Sequence, residues 1–301
     1  MVDIEKLMSL QAQLFLLMAL GVICRRCLVS AACQKGLTDL LVDLVMPCNI
    51  LASFQITWNL DILRQSATIL VLSLGIQIAS TLLSFVLYRR VSPGKRPILQ
   101  YGTTASNAGF LGLPVAEGLF GPDGVLLTSI YLIPQRIFMW SVGLSFFQKG
   151  SGQDVCKRLL THPCILAVCV GLILMFTQAQ LPAFLTGTIN SLSKCCTALS
   201  MLVIGMVISH FSLKQLLDPA VWYYALIRLA VLPALTLVCC RAFHAQELAA
   251  NVSLVLVCMP AAGTTAVLAA KYGADEAFAA SCVAHTTLLS LAAIPLWCLA
   301  L

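Results

Sequence analysis

The sequence predicts an all-α polytopic membrane protein, and three observations carry that prediction. Hydrophobic residues make up 60% of the 301-residue chain, charged residues only 10%, and the mean hydropathy is +0.95. A soluble domain needs more charge than this to cover its surface. Apolar runs long enough to cross a bilayer recur along the whole length, separated by short polar punctuation. Finally, the two halves of the chain resemble each other. No interval leaves room for a soluble domain, since the longest polar stretch, roughly 148–160, is too short to bury a core.

Ten spans are expected, at 8–24, 37–57, 67–88, 97–119, 124–147, 161–178, 183–209, 219–240, 247–271 and 275–300. The N-terminus, "MVDIEKLMSLQAQLFLLMALGVICRR", carries acids ahead of its apolar run and no small-residue cleavage pattern, so it reads as a retained first span and not as a cleaved signal. Connections after the odd-numbered spans hold twelve Lys and Arg, among them Arg25, Arg26, Arg89, Arg90, Lys95 and Arg96; the opposite side holds three, Lys6, Arg64 and Arg241. Positive-inside reasoning then puts the odd connections in the cytoplasm and both termini outside, in the plasma or inner membrane of the cell.

The repeat follows from two alignments. "FGPDGVLLTSIYLIPQRIFMWSVG" begins at Phe120 and "YGADEAFAASCVAHTTLLSLAAIP" at Tyr272, 152 positions later; "MPCNILASF" at Met46 pairs with "TALSMLVIG" at Thr197, 151 positions later. Each half, 1–150 and 151–301, holds five spans. An odd number forces the second half to enter the membrane with opposite polarity, which makes an inverted repeat of the kind secondary transporters use.

Two spans are interrupted. In "NAGFLGLPVAEGLFGPDG", Asn107, Gly109 and Gly112 fall near the centre of span 4, and Pro114 removes a backbone donor there. The expectation is a break at Pro114, with Pro114 opening a second half-helix. In span 9, "VCMPAAGTTAVLAAKYG" puts Pro260, Gly263, Thr264 and Thr265 near the midplane. Backbone groups freed at that depth cannot face lipid. Two helices broken at matching depth point to a binding site, where half-helix N-termini offer N–H groups to an anion. Packed kinks without a ligand are the plainer reading.

These residues are similar to those of the auxin efflux carrier family, which includes the plant PIN carriers, bacterial relatives, and malate and malonate permeases. The resemblance covers essentially the whole chain and rests on "NAGFLGLPVAEGLFG", "MPCNILASF", "LSMLVIGMVIS" and "MPAAGTTAVLAAKYGADEAFAASCVAHTTLLSLAAIPLW". It implies two inverted five-helix repeats, spans 4 and 9 crossing where they unwind, a scaffold of spans 1, 2, 6 and 7, a mobile remainder, and a homodimer. Gly263, Thr264 and Thr265 stand where members of that family often carry Asn or Pro. The paired polar sodium-site motifs of the related bile-acid symporters are not evident.

Charges inside spans narrow the chemistry further. Arg136 lies twelve residues into span 5, about 18 Å deep by helix rise. A guanidinium there suits bidentate capture of a carboxylate, or it pairs with an acid or with freed carbonyls of span 4. Gln135 faces about 100° away from it. Asp43, near Asp39 in span 2, is the candidate for proton coupling, with an ordinary ion pair to Lys35 or Lys194 as the alternative. Asn49 could project from the scaffold toward the crossing. Arg228 and Lys194 read as scaffold or interface charges, and His285 as a hydrogen-bonded helical histidine.

The function expected is a secondary carrier of a small organic anion, a mono- or dicarboxylate, working by alternating access of the elevator type. A ligand-binding sensor with the same fold is the alternative. No HExxH, GxSxG, paired catalytic aspartates or P-loop appears in the sequence. The fourteen cysteines lie mostly inside apolar runs, as small hydrophobes do, and the Cys24–Cys27 CxxC lacks partners for zinc. No cofactor, metal or nucleic-acid partner is expected.

Overall fold

In the computed structural model, residues 4–55, 59–147, 163–209 and 218–299 are described. The first half runs α1 (Ile4–Cys27), α2 (Ala31–Leu40) and α3 (Met46–Ser53), α4 (Leu60–Leu87), α5 (Arg96–Thr104) and α6 (Leu113–Phe138). Wide π-helical turns at Leu41–Val45, Ala108–Gly112 and Met139–Gly143 join α2 to α3, open α6 and close it. The second half runs α7 (Pro163–Thr177), α8 (Ala183–Lys194), α9 (Cys196–Ile208), α10 (Pro219–Leu226), α11 (Leu232–Ala242), α12 (Glu247–Val257), α13 (Thr264–Lys271) and α14 (Glu276–Cys298). A fourth π-turn, Ile227–Val231, joins α10 to α11.

Several helices begin earlier than the apolar runs that betray them. Ser30 and Asn59 accept N–H bonds from Cys33 and Ile62, so α2 and α4 start at these caps, ahead of the expected 37 and 67. Asp218 and Asp275 cap α10 and α14 in the same way, through Ala220 and Phe278. Polar caps open these helices because first-turn donors have no intrahelical acceptor. The polar interval near 148–160, the connection 210–217 and the boundary between 150 and 151 lie outside the described residues.

Among the described residues, five stretches are long and apolar enough to cross a membrane: Leu60–Leu87, Ala108–Gly143, Ala183–Met206, Pro219–Ala242 and Glu276–Cys298. Ala108–Gly143 is not one rod. Gly121 has φ 64° and ψ −150°, and a Cβ on Gly124 would lie 2.4 Å from the Ala116 carbonyl, so the chain folds back there. Only glycine adopts that backbone without strain. The helix α4 shows what surrounds the molecule: Ser73, Gln77, Ser80 and Ser84 are buried on one stripe, while Val71, Leu74, Ile78, Leu82 and Phe85 are exposed. Polar groups inside and apolar groups outside is the arrangement lipid selects. The chain is a multi-pass membrane protein.

One pair of helices approaches at backbone distance. Gly21 of α1 and Gly205 of α9 lie face to face, and a Cβ on Gly205 would sit 2.0 Å from the Met18 carbonyl. Small residues permit such contact, which lets dispersion hold helices together where lipid removes the hydrophobic drive.

Candidate functional site

Between α5 and the turn that opens α6, residues Ala105–Asn107 leave the helix; Ala105 is extended, with φ −105° and ψ 101°. Between α12 and α13, residues 258–263 do the same. The two gaps meet. Asn107 N–H donates to the Pro260 carbonyl at 2.8 Å and Ala262 N–H to the Ala105 carbonyl at 3.1 Å, making an antiparallel bridge of Ser106 with Ala261. Exchanging 105, 106 and 107 for 260, 261 and 262 turns one bond into the other.

The backbone groups left over find side chains. Gln135 of α6 clamps Ser106 twice: its amide donates to the Ser106 carbonyl at 2.8 Å, and Ser106 Oγ donates to Gln135 Oε1 at 3.0 Å. Thr286 of α14 accepts from Ala261 N–H at 3.1 Å. Arg228, buried in the π-turn Ile227–Val231, donates to three carbonyls: Met259 at 3.0 Å, Thr103 at 3.1 Å and Val257 at 3.3 Å. Those carbonyls sit at the C-terminal ends of α5 and α12, where a cation is favoured by both the helix dipole and the orphan acceptors. One guanidinium therefore caps both incoming half-helices.

The break thus lies upstream of Pro114, not at it. Pro114 is the second residue of α6, and the π-turn Ala108–Gly112 widens the helix ahead of it, with Leu113 N–H reaching back to the Ala108 carbonyl. A five-residue bond pattern absorbs the missing proline donor, while the chain breaks where a partner backbone takes its place. Gly112 serves packing: its Cα faces Leu256 and Met259, which a Cβ would meet at 2.8 and 3.0 Å. Gly109 faces Met46 more loosely, at 3.8 Å, and beside Gly263 a Cβ would meet nothing within 4 Å.

The remaining predicted residues divide. Asn107 is buried, and its side-chain amide makes no hydrogen bond among the described residues. Thr264 accepts from Tyr101 Oη at 3.1 Å; Thr265 is fully buried with its hydroxyl unbonded. Arg136 is 7% exposed and has neither an ion pair nor a hydrogen bond among the described residues. Its charge is felt by the Cys164 thiol of α7, which also feels Asp43. The freed carbonyls considered for Arg136 belong to Arg228, whose reading as a scaffold or interface charge is thereby corrected. Asp43 is exposed and has no ion pair among the described residues, so the pairing with Lys35 or Lys194 does not form. Asn49 is buried on α3, accepts from Ser193 Oγ at 2.7 Å, and lies beside Cys196. His285 is not hydrogen-bonded at Nε2; it packs edge-on against Trp222 with centroids 4.2 Å apart.

Two cavities, of about 320 and 360 Å³, open at connections near His244 and near Gln178, and no residue of the crossing lines either. Sequence reasoning missed Ser106, Gln135, Thr286 and Arg228 as the residues that hold the crossing together. Gln135 and Arg228 had a visible signal, polar side chains inside apolar runs.

The membrane transport protein family model matches residues 7–298. An uncharacterized transporter of Methanothermobacter thermautotrophicus is 30% identical over 212 residues, covering 69% of each chain. An uncharacterized transporter of Methanocaldococcus jannaschii is 32% identical over 201 residues, covering 64% of each. With its two interrupted helices paired and a match that spans nearly its full length, the chain belongs to the membrane transport protein family, that of the auxin efflux carriers.

Proposed function

We propose that this protein is a secondary transporter of a small organic anion, a mono- or dicarboxylate. It has ten spans in two inverted repeats and moves its substrate by elevator-type alternating access around the crossing. The observation that carries the reading is the pairing of two interrupted helices at the buried, unbonded Asn107 amide, with a second unused polar group, the Arg136 guanidinium, one residue along α6 from the Gln135 that clamps the crossing. The first turns of the half-helices at Ala108 and Thr264 add N–H donors, which attract an anion. A guanidinium without an acceptor is costly in a membrane protein, and a carboxylate relieves it bidentately. Support for a moving unit comes from Gln135, Arg228 and Thr286, which bind the crossing to their own helices. The Gly21–Gly205 contact holds α1 and α9 to each other at backbone distance.

The test is uptake of radiolabelled mono- and dicarboxylates into proteoliposomes, comparing the wild type with Arg136→Gln and Asn107→Ala. Loss of a charge-assisted contact of about 1.5–3 kcal/mol lowers uptake about tenfold to a hundredfold for Arg136→Gln, and less for Asn107→Ala. No carboxylate transported, or both variants matching the wild type, sinks the reading.

A further inference from the structure

Glu117 is a half-buried carboxylate on α6, inside the membrane-crossing stretch Ala108–Gly143. Its one hydrogen bond is long: Thr197 Oγ1, at the start of α9, donates to Oε2 at 3.4 Å. Among the described residues it has no ion pair. Helices packed on this segment carry Arg25 (α1), Cys48 (α3), Asp61 and Arg64 (α4), Cys164 (α7) and Glu247 (α12), with Asp43 in the turn before α3 and Lys194 and Cys196 at the α8–α9 junction. Of these, Cys196 is the one that feels the Glu117 charge, and it is a thiol, not a cation. The nearby shell is neutral: Thr197, Cys196 with Ser200 at 4.0 Å, and Asn49 bonded to Ser193.

We infer that Glu117 is a proton-binding site, and that the proton it carries couples the crossing's movement against α9 to the proton gradient. An ionised carboxylate partly withdrawn from bulk water favours a nearby cation or several donors, and Glu117 has one distant hydroxyl among the described residues. A proton on the carboxyl removes that requirement while α6 rests on α9. Sliding of the crossing past α9 brings water to the carboxylate, and the proton leaves as hydronium. No covalent bond other than O–H forms or breaks. The coupling half of this inference rests on the transport reading above; the binding half does not.

The two halves are tested separately. Infrared titration of the purified full-length protein in liposomes follows the carboxylic-acid C=O stretch. A protonated band persists at neutral pH in the wild type and in Asp43→Asn, and is absent from Glu117→Gln. Thr197→Val, which removes the one donor to the ionised form while keeping the acid, extends the band to higher pH. No such band, a band that survives in Glu117→Gln, or a band shifted by sodium chloride in place of pH overturns proton binding at Glu117. For coupling, labelled succinate is followed into proteoliposomes clamped at zero potential. One pH unit of inward gradient drives about tenfold accumulation for one co-transported proton. Glu117→Gln keeps succinate counterflow at equal pH and loses the gradient response. A retained gradient response overturns the coupling. Absence of wild-type counterflow with every carboxylate tried overturns the transport reading, and the coupling with it, while leaving the infrared result standing.

Discussion

The two interrupted helices reach the same backbone solution with different side chains. At the first gap Ser106 uses its own hydroxyl and carbonyl, and Gln135 answers both with one amide. At the second gap Ala261 has no side-chain hydroxyl, and Thr286 accepts from its N–H while itself donating to the Cys282 carbonyl at 2.7 Å. Arg228, from the second half, then serves both gaps at once. The lesson is that the likeness of the halves is carried by main-chain hydrogen bonding. A freed amide or carbonyl must find a partner in lipid, but which side chain supplies it is open.

That comparison can be broken most forcefully at Arg228. Arg228→Met strips three buried carbonyls of their donor and uncaps α5 and α12 together, at a cost of more than about 3 kcal/mol. Thermal unfolding in detergent should drop steeply, with Arg228→Lys recovering part of the loss; melting at the wild-type temperature would show that the clamp is dispensable. The asymmetry between gaps is sharpened by the next pair. Gln135→Ala orphans the Ser106 hydroxyl and carbonyl and costs about 2–3 kcal/mol, whereas Thr286→Val orphans one N–H and costs about 1–2 kcal/mol. Equal melting shifts would mean the two gaps are held equally well.

The smallest effect lies outside the membrane. Lys95, just before α5, forms an ion pair with Asp218, the cap of the α10 helix that leads to Arg228. Partial burial pushes the Asp218 carboxyl up, but the Lys95 ammonium and the Ala220 N–H outweigh it and hold it below the ordinary 3.8. A depressed folded value means the stabilisation is present above the unfolded value and disappears as pH falls through the folded one. Both groups are about 30% exposed, so the pair contributes under about 1 kcal/mol. Wild type and Asp218→Asn should therefore differ slightly in melting above about pH 4 and converge below it; a difference that grows on acidification contradicts the pair.

Much of the fold could be read from the chain because lipid is an unforgiving solvent. Apolar runs, their polar ends and the flexible residues at 107–114 and 258–265 are one-dimensional signals; the second gap occurs within them, and the first begins two residues upstream. The first gap was nonetheless misplaced, because proline looks like a break when it is read alone. A π-turn can absorb a missing donor, and only the position of Pro260 and Ala262 in space shows where the backbone bonds go instead. For the same reason the freed carbonyls were offered to Arg136 and Arg228 was read as a scaffold or interface charge, whereas Arg228 holds three carbonyls and Arg136 none among the described residues.

Composition and spacing by themselves determined that this is a multi-pass helical membrane protein with two interrupted helices, since a bilayer tolerates few ways to bury a backbone. The tertiary structure alone decided which residues bridge the gaps, which cation is spent on them, and that Glu117 faces a neutral hydroxyl. Hydrogen-bond partners are chosen by proximity across helices that lie far apart in the chain, and no local pattern encodes that proximity.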